Sequence, residues 1–369
     1  MKRKKILFNA HFYPNRSPSQ RFRFEQYIDF FTENGFDCET SNVIDPKNDN
    51  IFYSKGKLIK KLFLLIKFFK IRKKDLKQAE NYDIIFVQRE AYYIGTAYFE
   101  KRFSKKAKLI FDFDDSLWLS HVSDVNKKFN WLKNPKKTQK IIKLADHVIA
   151  GNKYLAEFAS GINKKTSVIP TTIDTNYHIP LKVKKSNKGR ICIGWTGSMT
   201  TIRHFDLCIP ILMRLKMKYG EGIYFKVIGE EKYVNKDLNI KGVKWSYENE
   251  ISELQEIDIG IMPLPDDEWT KGKCGFKGLQ YMALEIPAVM SPVGVNTEII
   301  EDGVNGFLAS TYNEWVEKLS LLIENPGLRM KLGKAGRIAV EEKYSTESQK
   351  FNYLRIFNDL AKNDSSLIV

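Results

Sequence analysis

Short apolar runs alternate with amphipathic stretches along most of the chain. The runs at residues 6–10 and 83–88 each contain at least three consecutive apolar residues, as in strands that are buried on both faces of a parallel sheet. The stretch at residues 22–34 has helical spacing and stops at Gly35. This alternation predicts an α/β fold. Further strands are predicted at residues 108–114, 146–151 and 166–170, and a further helix is predicted to begin at Asn152.

A second series of the same kind follows a short polar segment at residues 181–190, which is typical of an interdomain linker. The two series predict two doubly wound, Rossmann-like domains, at residues 1–182 and 188–345, that face each other across a cleft. In open parallel sheets, ligands bind beyond the carboxyl ends of the strands, so the loops there carry the functional interpretation. The second series has predicted strands at 191–195, 224–229, 243–245, 257–262 and 288–290, and predicted helices at 206–218, 250–255 and 278–284.

The composition is that of a globular chain and adds one functional clue, a strong positive charge. The 369 residues, of which 43% are hydrophobic and 28% charged, exceed what one core usually organises. No apolar run reaches the ~20 residues of a membrane span, and the apolar run after the basic start is too short for a signal peptide. The net charge of +16 predicts an anionic partner, which is a nucleic acid, a membrane surface or a phosphorylated small molecule.

Neither the cysteines nor the histidines are spaced as metal ligands. The 4 cysteines and 5 histidines are scattered, without the short spacings of zinc sites or the pairing of a disulfide framework. We therefore expect reduced thiols in a cytoplasmic protein, and no structural metal.

Two glycine-containing segments that join a strand to a helix are candidate anion sites. In the first, Gly197 would let a ligand approach the backbone, while Ser198 and Thr200 offer hydroxyl groups. Arg203 offers a bidentate phosphate donor. The alternative for this segment is an ordinary strand–helix turn with a capping hydroxyl. In the second, at residues 271–287, lysines and glycines precede an apolar helix whose N-terminus carries partial positive charge. A solvated basic loop is the alternative there.

The second segment and its continuation resemble a known enzyme family. The run Gly275-Phe-Lys-Gly-Leu-Gln-Tyr-Met-Ala-Leu-Glu-Ile-Pro-Ala-Val and the later Glu298-Ile-Ile-Glu-Asp-Gly-Val-Asn-Gly-Phe-Leu are similar to the C-terminal domain of retaining GT-B-fold glycosyltransferases of the family 4-like, group 1 type. Three N-terminal motifs also resemble this family, so that the likeness covers nearly the whole chain. It implies a C-terminal helix at residues 346–369 that packs back on the N-terminal domain. The three motifs are Gln88-Arg-Glu, Phe111-Asp-Phe-Asp-Asp-Ser-Leu-Trp and Val168-Ile-Pro-Thr-Thr-Ile-Asp.

The resemblance implies transfer from a nucleotide-sugar donor, without a metal ion or another cofactor. Gly197 and Ser198 would lie at the donor diphosphate, and Arg203 and Lys277 would form the catalytic pair that neutralises it. This assignment agrees with the chemistry, because the departing diphosphate gains negative charge in the transition state. The other donor-binding residues that the resemblance implies are Thr200, Lys273, Gln280, Gly294 and Glu298.

One position departs from the family pattern. The family typically has two glutamates separated by seven residues, one near the donor sugar and one that binds the ribose. Here the ribose position is Gln280, whose amide can still bond hydroxyl groups, and the sugar position is Gly272, next to Lys273. Glu268 in the preceding loop is a possible substitute. The sequence therefore leaves open both the donor sugar and an inactive homologue that only binds sugar nucleotides.

The N-terminal domain is expected to supply the acceptor side. Asp112, Asp114 and Asp115 end a predicted strand, and Asp114 lies where relatives often have a histidine near the catalytic centre. Carboxylates there can orient sugar hydroxyls or stabilise an oxocarbenium-like centre. The alternatives are a solvated Asp112 with a helix-capping Asp115, or a divalent-metal Asp-x-Asp site. Candidate ligands of an acceptor phosphate, or else ordinary residues at a helix start, are Ser19, Arg21 and Arg23.

Residues 55–78 predict a basic amphipathic helix. Its densest apolar stripe is assigned to the core face. On the opposite side, Leu64, Phe68 and Ile71 lie among lysines, which suits insertion into an anionic membrane interface. A core helix with a lysine-rich outer surface is the alternative. The core stripe comprises Leu58, Ile59, Leu62, Leu65, Ile66 and Phe69, and the lysines on the membrane side include Lys57, Lys60 and Lys67.

The leading hypothesis is a cytoplasmic glycosyltransferase at the inner face of a membrane. It would move a sugar, with retention, from a nucleoside diphosphate to a glycan or lipid-linked acceptor in cell-envelope polysaccharide or glycoconjugate synthesis. An inactive sugar-nucleotide-binding homologue is one alternative. A nucleic-acid-binding protein is the other, but only its charge favours it, because no zinc-finger, RNA-binding sheet or basic-zipper motif is present.

Overall fold

The computed structural model describes residues 3–54, 56–119, 134, 136–181 and 189–362. These residues form two compact units. The first unit ends at Thr171 and also includes the chain from Gln349 onward, while the second unit is Thr172–Ser348. The boundary precedes the linker expected at residues 181–190, of which residues 182–188 lie outside the described part.

The first unit is built on a parallel sheet of six strands in the order β2-β1-β3-β4-β5-β6. The strands predicted in this half are confirmed. Strand β2 is an additional strand, which the alternation missed because it is largely polar and lies at the sheet edge. The strands are β1 (Lys4–Ala10), β2 (Phe36–Asn42), β3 (Ile84–Gln88), β4 (Lys108–Phe113), β5 (His147–Ala150) and β6 (Thr166–Val168).

Aromatic side chains fill the space between this sheet and its helices. Phe8 of β1 stacks on Phe24 with ring centroids 4.8 Å apart, and Phe31 meets Phe357 edge-on at 4.8 Å. Because Tyr353 and Phe357 belong to this core, the C-terminal helix is part of the first unit. The other helices of the unit are α1 (Pro18–Arg21), α2 (Ile28–Glu33), α3 (Pro46–Tyr53), α4 (Leu58–Gln78), α5 (Tyr98–Phe103), α6 (Lys136–Leu144) and α7 (Lys153–Ser160).

The helix predicted at residues 22–34 is broken in the structure. Residues 22–34 form a 3-10 turn at Glu25–Tyr27 and helix α2, and the short helix α1 precedes them. The break coincides with Arg23, whose fully buried side chain donates to Asp112 and to the carbonyl oxygen of Ile169. A guanidinium group buried this deeply requires such partners, so tertiary contacts override the helical periodicity here.

The second unit contains a parallel sheet of five strands in the order β13-β12-β11-β7-β8. The predicted strand at residues 243–245 is wrong, since only Val243 pairs, through a single bridge to Ile228. A two-stranded hairpin is added beside the sheet. The strands are β7 (Ile191–Thr196), β8 (Ile223–Ile228), β9 (Val234–Asn235), β10 (Ile240–Lys241), β11 (Ile259–Met262), β12 (Ala288–Met290) and β13 (Phe307–Leu308).

Helices of the second unit pack around a core that includes Trp195 and Phe205. The helix predicted at residues 206–218 is divided into α8 and α9, while the one at residues 250–255 is confirmed. The helices are α8 (Ile202–Asp206), α9 (Ile209–Tyr219), α10 (Glu250–Gln255), α11 (Glu268–Lys271), α12 (Phe276–Ala283), α13 (Asn296–Ile299), α14 (Tyr312–Glu324), α15 (Pro326–Ala339) and, entering the first unit, α16 (Thr346–Lys362).

Helix α4 turns the opposite face to the core from the one predicted. Leu64 and Phe68 are buried, and Ile71 is half-buried, against a cluster that includes Val43 and Ile44. The prediction that Leu64, Phe68 and Ile71 insert into a membrane is therefore wrong. Leu65 of the predicted core stripe is half-buried. The side chains that are exposed instead are Leu58, Ile59, Leu62, Phe63, Ile66 and Phe69.

A buried polar pair on α4 explains this orientation. Arg72 is fully buried and donates to Asp75 Oδ2 at 2.9 Å and to the carbonyl oxygens of Ala10 and Ala91. Since a buried charge needs its partners, the face that carries Arg72 must point into the core. Phe68, one turn earlier on the same face, is therefore buried as well. Neither α4 nor any other helix in the described part of the chain is both long enough and apolar enough to cross a bilayer.

Two phenylalanines on opposite faces of α4 provide a matched test. Phe68 is 0% exposed and Phe63 is 67% exposed. We expect Phe68→Ala to lower the free energy of unfolding by about 3–5 kcal/mol, because it leaves a cavity in the core. Phe63→Ala should change it by less than about 0.5 kcal/mol. Urea unfolding of both variants measures the difference, and equal losses would contradict the observed orientation.

Candidate functional site

The predicted donor residues follow strands that end at one edge of the second sheet. Because β7, β11 and β12 pair in parallel with their neighbours, the loops that follow them leave the same edge. The loop after β7 contains Gly197, the segment after β11 leads to Lys273, and the loop after β12 contains Gly294. Residues far apart in sequence thus reach a common edge.

Two glycines allow the loops after β7 and β8 to touch. Gly229 has a φ of +103°, and a Cβ atom there would lie 2.0 Å from the carbonyl oxygen of Gly197. A Cβ atom on Gly197 would lie 2.3 Å from the ring of Trp195. Packing therefore requires glycine at both positions, independently of the ligand contact predicted for Gly197, which stays a prediction.

The hydroxyl groups predicted to bind the donor belong to a preformed turn before α8. The Oγ atom of Ser198 and the Oγ1 atom of Thr200 are 2.9 Å apart, and both residues are exposed. The backbone N–H of Ser198 donates to Thr201 Oγ1 at 3.2 Å. The loop is therefore held by its own side chains and presents its hydroxyls to solvent.

Cationic side chains gather around Trp269, a residue that the sequence analysis missed. The Nζ atom of Lys273 is 3.4 Å from the Trp269 ring centroid, and the Cζ atom of Arg203 is 5.6 Å from it. The Nζ atom of Lys277 is 5.5 Å from the centroid of the buried Trp195. Aromatic faces attract cations, so these rings help to hold like charges close together.

His204, to which the sequence analysis assigned no role, lies near these positive charges. Its side chain is 3% exposed, and its Nε2 atom has no hydrogen-bond partner among the described residues. Burial, followed by the charges of Lys277, Arg203 and Lys273, lowers the pKa of His204 to about 3. The imidazole is therefore neutral at physiological pH. Positive charge gathered in this way favours an anion.

Helix α11 places Trp269 beside the cations. Asp267 caps this helix by accepting from the backbone N–H of Thr270 at 2.8 Å, and Thr270 returns a bond, which completes a capping box. Glu268, considered as a substitute sugar ligand, is exposed and pairs with Lys271 at 2.8 Å. Gly272 lies at the C-terminal cap of α11. The substitute role of Glu268 stays a prediction.

Gln280 is buried and bonded to a carboxylate that its sequence position did not reveal. Its Nε2 atom donates to Glu250 Oε1 at 3.1 Å, and the indole N–H of Trp245 donates to the same oxygen at 3.2 Å. Gln280 is 2% exposed and Glu250 is 3% exposed. The predicted contact of Gln280 with ribose stays a prediction. The structure shows that Glu250 of α10 is a hydrogen-bond partner of Gln280.

The remaining predicted donor residues lie after β12. Gly294 has a φ of +54°, and a Cβ atom there would lie 2.6 Å from the carbonyl oxygen of Lys271. The glycine therefore brings this loop against the end of α11. Glu298 lies on α13, where its side chain is exposed, and its carbonyl oxygen accepts from the hydroxyl of Tyr344 at 3.4 Å.

In the first unit, Arg23 and Asp112 are core residues rather than acceptor ligands. Both side chains are 0% exposed, and Arg23 Nε lies 3.2 Å from both carboxylate oxygens of Asp112. The prediction that they bind an acceptor is therefore wrong, because each satisfies the other in a region without solvent. Arg21 is also largely buried, with its Cζ atom 4.6 Å from the ring centroid of Phe22.

Asp114 instead lies at the carboxyl edge of this sheet, in an ion-pair cluster. Arg89 donates to Asp114 Oδ1 at 2.9 Å and to Asp115 Oδ2 at 3.3 Å. Burial alone would raise the pKa of Asp114, but Arg89, a hydrogen bond from Ser19 and the charge of Arg23 together lower it. Asp114 is therefore ionised at neutral pH. Ser19, predicted as a phosphate ligand, contacts this carboxylate and accepts a bond from Gln88 at 2.8 Å.

Arg89 is the residue of this cluster that the sequence analysis did not assign. It follows β3 directly and has a φ of +65°, which is uncommon for a residue with a side chain. Such conformations cost free energy and are concentrated at functional sites. The signal in the sequence was its position directly after a buried strand.

The carboxylates of the Asp-x-Asp motif face guanidinium groups. Asp112 contacts Arg23, and Asp114 contacts Arg89, so the motif offers no pair of oxygens directed at one cation. In the described residues, no group of three or more His, Cys, Asp and Glu side chains is arranged to hold a metal ion. Metal independence stays a prediction.

Solved structures with the same architecture place the two parallel sheets in the GT-B fold. A glycosyltransferase from Rickettsia africae is 16% identical, with a TM-score of 0.68 over 98% of this chain and 100% of that one. Sucrose-phosphate synthase from Thermosynechococcus elongatus is 14% identical, with a TM-score of 0.67 over 97% and 99%. HepE from Anabaena, in complex with UDP and glucose, is 14% identical, with a TM-score of 0.66 over 96% and 100%.

The family comparison concerns the second unit in particular. Residues 190–325 match the family model described as glycosyl transferases group 1. An uncharacterized glycosyltransferase of Methanocaldococcus jannaschii is 25% identical over 185 residues, which are 47% of this chain and 50% of the relative. The chain thus spans about half the length of that relative. Residues 190–325 are therefore similar to the group 1 family, and the solved structures show the fold of the chain.

The lowered pKa of His204 predicts a loss of stability in mild acid. The unfolded histidine has a pKa of about 6.5 and binds a proton that the folded side chain, with a pKa of about 3, does not bind. Stability from this group is therefore present above about pH 6.5 and is lost as the pH falls toward about 3. We expect His204→Gln to lose less stability than the wild type between pH 7 and pH 5, as measured by urea unfolding. An identical loss in both proteins would contradict the assignment.

Proposed function

We propose that this protein transfers a sugar from a nucleoside diphosphate to an acceptor hydroxyl group. The observation that carries the proposal is the cluster of Arg203, Lys273 and Lys277 around His204, within the segment that matches the group 1 model. These side chains offer fixed positive charge and hydrogen-bond donors to a diphosphate. A fold by itself does not define a reaction, so the proposal depends on this cluster.

Fixed cations at this site would accelerate departure of the nucleoside diphosphate. As the bond between sugar and phosphate breaks, negative charge grows on the diphosphate, and preorganised cations stabilise the transition state more than the ground state. We assign the catalytic role to Arg203 of α8 and Lys277 of α12, and a binding role to Lys273. Since side chains supply this charge, we propose a reaction that needs neither a metal ion nor another cofactor.

Uridine nucleotides are the first candidates for the donor. HepE, which shares the fold, was solved with UDP and with UDP-glucose. In this chain we assign the ribose to the neighbourhood of Gln280 and Glu250, whose amide and carboxylate groups can bond hydroxyls. The base is then decided by the binding experiment below.

The first unit would supply the group that orients the acceptor. Asp114 is ionised and held by Arg89, so it can accept a hydrogen bond but cannot act as a general acid at neutral pH. A carboxylate of this kind can align an attacking hydroxyl or stabilise positive charge on the sugar. Asp114 is therefore our candidate for the acceptor side of the reaction.

We further propose that the transfer retains the anomeric configuration, as the sequence resemblance implies. The acceptor hydroxyl would attack on the face from which the diphosphate leaves, and the donor phosphate would take its proton. This scheme requires no protein nucleophile. For the acceptor we propose a glycan or a lipid-linked glycan at the cytoplasmic face, in cell-envelope polysaccharide or glycoconjugate synthesis.

Binding of nucleoside diphosphates tests the donor site. We expect one of UDP, GDP, ADP and dTDP to raise the melting temperature, because a ligand that binds only the folded state stabilises it. Arg203→Ala and Lys277→Ala should each weaken this binding by about tenfold or more, since each removes a charged hydrogen-bond donor. Isothermal titration calorimetry with the selected nucleotide gives the dissociation constants.

Lys334→Ala is the matched control, because Lys334 is an exposed lysine of the same unit, on α15. It should bind the nucleotide as the wild type does. A folded protein that binds none of the nucleotides would overturn the proposed function. If both site variants bind the nucleotide as the wild type does, the diphosphate binds at another site. If the protein binds a nucleotide but shows no turnover, it is an inactive homologue, for which Gly272 is the candidate cause.

Asp114→Asn should separate turnover from donor binding. The substitution keeps the shape but removes the charge, so we expect release of nucleoside diphosphate from the donor to slow by about 10- to 100-fold. The dissociation constant of the nucleotide should stay within about twofold of the wild type. Asp37→Asn, at an exposed ion pair with Arg3, is the control and should leave both quantities unchanged. Full turnover in Asp114→Asn would exclude a role of the Asp114 carboxylate in the transfer reaction.

A further inference from the structure

The outward face of α4 is apolar over its first half and basic over its second half. Ile59 is 73% exposed, Phe63 is 67% exposed and Ile66 is 46% exposed, and their spacing of three to four residues puts them on one line of the helix. The same line continues with the exposed Lys70 and Lys73. The apolar part is widened by Leu58, Leu62 and Phe69.

Among the described residues, this face carries little negative charge. The helix contains one acidic residue, Asp75, which is buried in the core. Two exposed acids next to the helix are already paired, Asp45 with Lys67 at 2.6 Å and Glu80 with Lys106 at 2.5 Å. The lysines of α4 and its N-terminal cap are Lys57, Lys60, Lys61, Lys67, Lys70, Lys73, Lys74 and Lys77.

Helix α5 extends the surface with side chains that are apolar at one end and polar at the other. The ring of Phe69 on α4 lies 5.1 Å from Phe99 and 6.2 Å from Tyr98, which is 41% exposed. The guanidinium of Arg102 lies over the Tyr98 ring at 3.6 Å. Tyrosine and arginine of this kind are favoured where an apolar layer meets water.

We propose that this face of α4 docks on an anionic lipid bilayer. The helix would lie parallel to the surface, with Ile59, Phe63 and Ile66 among the acyl chains and the lysines at the lipid phosphates. The sequence analysis expected the same partner on the opposite face of the helix, where burial excludes it. The proposal does not depend on transferase activity.

The chemistry of the face favours a bilayer over two other partners. A second copy that paired the same face with parallel helices would place the lysines of one α4 near those of the other, which is repulsive. An antiparallel pair through the apolar half would leave Lys70 and Lys73 without an anionic partner. A nucleic acid would use the lysines, but it provides no apolar layer for Leu62, Phe63 and Ile66. A lipid surface with negative headgroups satisfies both the apolar and the basic part.

Co-sedimentation of the full chain with vesicles tests the proposal. We expect binding to phosphatidylglycerol vesicles, weak binding to phosphatidylcholine vesicles, and a decrease as salt is raised. Phe63→Ser combined with Ile66→Ser should weaken binding by about tenfold or more, because both lose apolar area that the bilayer would bury. Lys70→Gln combined with Lys73→Gln should weaken it by about fivefold per lysine.

Equivalent pairs on α15 are matched controls. Met330 and Ile338 are 60% and 55% exposed, and Lys331 and Lys334 have the same spacing as the pair on α4. The control variants carry the same kinds of substitution, Met330→Ser with Ile338→Ser or Lys331→Gln with Lys334→Gln, and should bind vesicles as the wild type does. All variants should keep the wild-type melting temperature.

Three results would overturn the proposal. One is failure of the wild type to bind anionic vesicles, and another is an equal loss in the α15 controls, which would indicate attraction by net charge alone. The third is a dimer of the wild type in gel filtration that becomes a monomer when Phe63→Ser is combined with Ile66→Ser, while vesicle binding stays unchanged. That result would assign the face to a second copy of the chain.

Discussion

Parallel pairing of the strands is the constraint on which both units depend. A parallel strand can be reached only through a crossover, usually a helix, so both faces of each sheet are covered and the strands are apolar on both sides. The same pairing directs the carboxyl ends of all strands to one edge. In the second unit this edge receives the loops of Gly197 and Gly294. In the first unit it receives Arg89 after β3 and Asp114 after β4.

The two units arrange charge at these edges in different ways. The second unit places Arg203, Lys273 and Lys277 near the buried His204, whose pKa is lowered first by burial and then by these charges. We assign the diphosphate there because its negative charge complements these side chains. In the first unit Arg89 pairs with Asp114 and with Asp115, so one guanidinium faces two carboxyl groups and the cluster is not cationic. Such a surface suits a hydroxyl-rich acceptor better than a phosphate.

Buried charge explains where the structure departs from the sequence analysis. Arg23, Arg72 and Asp112 are charged, and a sequence pattern places charged residues at the surface, yet each is buried against a specific partner. Once Arg72 is inside, the apolar stripe of α4 that periodicity assigns to the core must face outward. Helical periodicity shows which residues share a face of the helix, but it does not show which face packs against the core. The exposed stripe that results is the surface proposed to meet a membrane.

The sequence by itself determined the α/β class and most strand positions, because these depend on local periodicity. It did not reveal Trp269 or Glu250 as partners in the site, nor Arg89 as the holder of Asp114. Those contacts join residues far apart in the chain, such as Glu250 with Gln280 and Arg89 with Asp114. Only the tertiary structure decided them, since a buried or charged group takes the partner that the packed sheet edge brings within hydrogen-bond distance.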